Sequence, residues 1–142
     1  FTLVEILIVV VILGILAAIV VPQLSSASQT AVKKSVLRQW QEISNQAELY
    51  RTRNGGVLPT SDATNPVADG SWGVLVSQNY LREEPVNMYT NSTSLIAGVE
   101  ATAIAAAQTS GEGWYFDIVT NPGQINFFPA GYDRITDTLS NE

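Results

Sequence analysis

The residue best placed to do unusual chemistry is Glu5, the single ionisable side chain in the opening stretch FTLVEILIVVVILGILAAIVVPQL. A carboxylate in the first turn of a helix gains from the free backbone amides and the macrodipole. Here, however, Leu3, Val4, Ile6 and Leu7 flank it, and an unpaired carboxylate in a dry setting is costly or takes up a proton. Glu5 therefore calls for a cation. The nearest of the right type is a free α-amine such as that of Phe1, and the amine of a neighbouring copy would satisfy both charges while fixing the axial register.

The other acids worth weighing are Asp117, Asp133, Asp137 and Glu142 towards the end of the chain. Calcium is the hard cation that such oxygen ligands suit. No compact loop of alternating acids is present, so solvated surface charge is the favoured reading, with calcium in the head as the alternative. The chain has no Cys and no His, which removes thiolate and imidazole metal sites, disulfides and the Cys-His and Ser-His-Asp nucleophilic arrangements. No glycine loop for phosphate appears, and nothing assembles a nucleophile, a base and an oxyanion site. Asn91-Ser92-Thr93 fits the glycosylation sequon, a weak signal by itself. The expectation is a protein that is not an enzyme and carries no cofactor.

Position must then come from the elements. From Ile6 to Val21 no residue is polar, close to the ~20 residues with which a helix spans a bilayer. The run is apolar on every face, as in a helix surrounded by lipid or by other helices. Pro22 removes the amide that would bond the carbonyl of Ala18, and Gly14 costs up to ~1 kcal/mol relative to Ala. Residues 14 to 22 are thus a segment prone to bend or melt, although Gly14 equally serves close helix packing. The only Met is Met88, so Phe1 reads as a processed N-terminus. Lys33, Lys34 and Arg38 follow the apolar run, which taken alone puts that side in the cytoplasm; a basic leader before Phe1 would invert the orientation.

Phe1, Thr2-Leu3, Glu5, the apolar run, Gly14 and Pro22 together make the stretch similar to the mature N-terminus of bacterial type IV pilins and type II secretion pseudopilins. The resemblance covers about the first thirty residues. It implies a leader cut before Phe1 by a prepilin peptidase, N-methylation of Phe1, and storage in the inner membrane. It further implies extraction by an assembly machinery into a helical homo-oligomeric fibre, with Glu5 paired to the Phe1 amine of an adjacent subunit and residues 14 to 22 able to melt on assembly.

Beyond Gln23 the helical period continues. Val32, Val36, Trp40, Ile43, Ala47 and Tyr50 recur at steps of three and four and form one stripe facing a core. Arg38 and Glu42 stand at i,i+4 on the outer side, Arg51 and Arg53 complement the C-terminal dipole, and Asn54-Gly55-Gly56 is a stop signal. The helix is expected to reach about Arg53, roughly 80 Å at 1.5 Å per residue. Residues 57 to 71 read as loop, 72 to 81 as a short helix closed by Pro85-Val86-Asn87, and the Ala-rich stretch 95 to 108 as a helix opposed by Gly98 and its Thr neighbours.

GWYFDIV and QINFF, residues 113 to 119 and 124 to 128, read as the strands of an antiparallel hairpin around Thr120-Asn121-Pro122-Gly123. Trp114, Phe116 and Ile118 share a face, packed with Trp40 and Tyr50 of the helix stripe. The polar tail from Pro129 gains order only by docking. The fold expected is α+β: a transmembrane or fibre-core helix over 1–24, its amphipathic continuation over 25–54, and a globular head over 55–142.

The net charge of −6 counts against a nucleic-acid partner. The function expected is that of a major pilin in an extracellular type IV pilus. The alternatives are the major pseudopilin of a periplasmic secretion filament and a membrane-tethered adhesin or DNA-uptake subunit.

Overall fold

A computed structural model describes residues 1–140. Helix α1 (Leu3–Arg53) contains Pro22 within it and ends with Arg51 and Arg53 in its last turn. The Asn-Gly-Gly stop works as expected. Gly55 turns left-handed at φ +66°, and the Gly56 amide reaches back to the Arg51 carbonyl at 2.8 Å, the six-to-one bond that closes a helix terminus. The chain divides into two units, residues 1–32 and 33–142.

In the second unit a short 3-10 turn (Pro59–Ser61) and helix α2 (Val74–Ser77) precede strand β1 (Leu95–Ala97), helix α3 (Glu100–Ala105), and strands β2 (Trp114–Asp117) and β3 (Asn126–Pro129). Strands β4 (Tyr132–Asp133) and β5 (Thr138–Leu139) complete it. The main sheet has the order β1-β2-β3. β2 and β3 are antiparallel with Trp114 opposite Pro129, whereas β1 runs parallel to β2 with Leu95 opposite Trp114.

The fold is α+β, and its sheet is mixed where an antiparallel one was expected. The Ala-rich stretch splits accordingly. Its first residues, Leu95–Ala97, form the parallel strand, and only Glu100–Ala105 is helical. Gly98 sits at the break, its amide bonded to the Phe116 carbonyl at 3.0 Å, and a side chain there would run into the Tyr115 ring.

The core follows the helix stripe. Val36, Ile43, Ala47 and Tyr50 are buried on α1, and Ile43, Ala47 and Tyr50 join Trp72, Leu75, Leu95, Trp114, Phe116 and Phe127 in one cluster. Aromatics supply much of its area. Trp72 stacks on Phe127 at 5.9 Å between centroids and meets Trp114 edge-on at 6.3 Å, both favourable ring geometries. Each indole also finds an acceptor: Trp72 donates to the Thr93 carbonyl at 2.8 Å, Trp114 to that of Pro85 at 2.9 Å, and Trp40 to that of Phe127.

Ile118 does not continue the strand face. It lies past the end of β2 and is exposed, because the Asp117 carboxylate accepts the amides of Val119 and Thr120 at 2.8 and 3.1 Å and turns the chain. The tail from Pro129 is part of the head: Ala130, Tyr132 and Leu139 are buried, and β4 pairs with β5.

Candidate assembly site

Glu5 sits at the third position of α1, and its carboxylate accepts the Thr2 amide at 2.6 Å, while the Thr2 hydroxyl accepts the Glu5 amide at 3.3 Å. This is a reciprocal capping box, Thr-x-x-Glu, which satisfies two orphan donors of the helix start. Thr2 is the residue that sequence reasoning missed. Its signal is the Thr2-to-Glu5 spacing, that of a capping box. Within one chain the carboxylate is therefore not left bare, although its charge remains without a cation among the described residues. Among the described residues the Phe1 amine forms no ion pair with Glu5.

The surface behind this cap is unusual. Every residue from Phe1 to Ala31 is exposed, and the helix holds an 18-residue window of mean hydropathy 3.3 with none of it buried. It is long and apolar enough to cross a membrane. Exposed apolar surface contiguous over five turns of helix far exceeds what a monomer in water tolerates, and marks a surface meant for lipid or for another protein. Helical geometry continues through both weak points. Gly14 meets nothing within 4 Å of where a Cβ would stand, and Pro22 lies inside the helix.

The residues expected to pack the head do come together. Tyr50, Trp114 and Phe116 lie in the main cluster, and half-buried Trp40 packs against it. Tyr50 also donates its hydroxyl to Asp62 at 2.7 Å, and burial, with that carboxylate beside it, pushes the phenol up to about 12. Arg38 and Glu42 are exposed but do not pair; the ion pair on this part of α1 is Arg51 with Glu48 at 3.3 Å.

The acids considered for calcium are each engaged separately. Asp117 and Asp133 accept the amides that follow them in sequence, and Asp137 accepts from Lys33 and from the Tyr132 hydroxyl. Glu142 lies outside the described residues. Among the described residues no three His, Cys, Asp or Glu side chains group as a metal site.

The chain is similar to the type II secretion system core protein G of Dickeya chrysanthemi, with 32% identity over 87 residues, 61% of this chain and 52% of that protein. The chain thus matches about half the length of that curated relative. No family model matches it, and no solved structure does.

Proposed function

We propose that this chain is a structural subunit of a pilin-type filament, held in the membrane by α1 and polymerised when neighbouring copies of that helix replace lipid around it. The observation that carries this reading is the fully exposed, unbroken apolar stretch of helix from Ile6 to Val21 headed by a lone carboxylate. Lipid and a sheath of like helices satisfy such a surface equally, so the subunit can pass from one to the other. A directional contact repeated head to tail makes an open helical fibre rather than a closed ring. In this reading Glu5 sets the register against the Phe1 amine of the next copy, residues 14 to 22 supply the yield that packing requires, and no cofactor takes part. The prepilin peptidase and the assembly machinery are the subunit's further partners.

The similarity to core protein G favours a pseudopilin, whose filament stands in the periplasm. The extracellular pilus is the second reading, supported by the features of residues 1 to 22 that the two kinds share; long surface fibres built mainly of this chain would select it.

Replacing Glu5 with Ala tests the proposal. Membrane-held subunit and filament are measured separately, and the expected result is normal insertion with assembly badly reduced. Undiminished filaments would remove the role of Glu5.

A further inference from the structure

Of the seven Lys and Arg residues, four are engaged within the chain. Lys33 binds Asp137, Arg51 binds Glu48, Arg134 binds Glu100, and Arg53 lies over the Tyr80 ring. Lys34 and Arg38 are different. Both are exposed, and among the described residues neither has a hydrogen bond or an ion pair. They stand at i,i+4, where like charges repel across one helical turn. At ~100° per residue both lie about 160° around the helix from Val36, the far side from the buried stripe. Lys34 has no acid at helical spacing, and Arg38 makes no ion pair with Glu42 one turn on.

The same chain carries a groove of opposite sign. It lies between α1 and the segment after α2, has a volume of about 250 Å³, and includes Gln39, Glu42, Leu81, Arg82, Glu83 and Glu84 in its lining. Three acidic residues and one arginine line it. Glu42 and Glu83 have no partner among the described residues, while Glu84 accepts only the Thr93 hydroxyl, at 3.2 Å. The carbonyl oxygen of the Gln39 amide is buried without a donor. Cations with long stems would fill these needs, their methylenes lying on Leu81 and their charged heads on the acids.

We infer that Lys34 and Arg38 of one copy dock in the Glu42-Glu83-Glu84 groove of the next, an inference that rests on the filament reading and names one of its contacts. The occupant is a second copy because this chain bears both halves of the match: Glu83 and Glu84 come from the segment after α2, whereas Lys34 and Arg38 stand on α1 outside the groove's lining. Two unlike patches joined in this way are heterologous and leave a free cation pair at one end and a free groove at the other, so the contact propagates. Charge pairing of this kind chooses partner and register more than it adds raw affinity.

The test uses the full chain in cells that assemble it, with filaments counted and membrane-held subunit quantified. Lys34→Glu with Arg38→Glu, and separately Glu83→Lys with Glu84→Lys, are each expected to lower filament number about tenfold at unchanged subunit level, and all four together to restore assembly to within about twofold. Undiminished filaments in either pair, or no recovery in the combination, overturn the inference. Loss from the cation pair alone also overturns it and points to an anionic membrane surface as the true partner. Should a reversed chain fail to accumulate, Lys34→Gln with Arg38→Gln is set against Glu83→Gln with Glu84→Gln; matched losses support the contact and a loss in only one pair overturns it. A wild-type chain that forms no filament at all fails the proposed function instead.

Discussion

The ammonium of Lys33, on α1, donates to both the carbonyl and the carboxylate of Asp137, at 2.8 and 3.1 Å, across 104 residues of sequence. That contact secures the turn between β4 and β5 to the helix. The Lys33 hydrogen bond, with that of the Tyr132 hydroxyl, holds the Asp137 carboxyl below its ordinary 3.8. A carboxyl lowered on folding contributes stability that is present above its unfolded value and is lost as pH falls through the lower native one. The tail is therefore expected to loosen below about pH 3.8. Lys33→Ala should raise the Asp137 carboxyl towards its ordinary value and speed amide exchange at Leu139 and Ser140 at neutral pH. Exchange at those amides that matches the wild type would show that the contact does not hold the tail.

Alkali should act on the opposite side. Burial first, and neighbouring carboxylates second, push Tyr50, Tyr115 and Tyr132 each up to about 12 from 10.0. A phenol raised on folding favours the folded state below its unfolded value and loses that contribution as pH climbs through the native one. Stability should thus fall between about pH 10 and 12, with tyrosinate absorbance and loss of the head's near-ultraviolet signal rising together. Ionisation of all three phenols near 10 in a folded head would contradict their burial.

The capping box separates two roles that Glu5 can play. Glu5→Gln keeps an oxygen for the Thr2 amide and removes the charge, whereas Thr2→Ala removes the hydroxyl and keeps the charge. If Glu5 meets an amine on the next copy, Glu5→Gln should assemble as poorly as Glu5→Ala, and Thr2→Ala should lose only the ~1 kcal/mol of a helix cap. Filaments from Glu5→Gln at the wild-type level would reduce Glu5 to a cap.

Asn87 is fully buried, and its side-chain amide donates to the carbonyls of Gly113 and Ala130 at 2.7 and 3.1 Å, while its oxygen accepts the Tyr89 amide at 2.9 Å. Asn87→Ala strands all three groups at once and should cost about 3 kcal/mol. Thermal or denaturant unfolding of the detergent-held chain measures this. A loss under about 1 kcal/mol would mean that water takes over the bonds.

How much of this could be read from the residues depended on the range of the interactions. α1 was legible to its last turn because its signals are local: the apolar run, the three-and-four stripe from Val36 to Tyr50, and Asn54-Gly55-Gly56. The β2-β3 hairpin was legible for the same reason. β1 was not, because Leu95–Ala97 becomes a strand only by parallel pairing with residues 114 to 116, and nothing nearby in sequence announces so distant a partner. The polar tail, expected to gain order by docking, is docked through Lys33 and the buried Tyr132 and Leu139, although its sequence did not name those anchors. At the candidate assembly site Glu5, Gly14 and Pro22 stand out by type, whereas Thr2 is legible only by its spacing, and the groove by Glu42 exists only once the fold brings the segment from Leu81 to Val86 to the helix.

Four fasteners of the head are uncharged: three indoles on backbone carbonyls, and one carboxamide joining three stretches of chain. None of them titrates in the range a cell encounters, and with no thiol in the chain none answers to redox potential. A head locked at its centre in this neutral way asks little of Lys34, Arg38, Glu83 and Glu84, none of which forms an ion pair among the described residues. Substitutions at Lys34, Arg38, Glu83 or Glu84 are then expected to leave the domain folded, so that in the proposed filament the neighbour accepted can change while the scaffold does not.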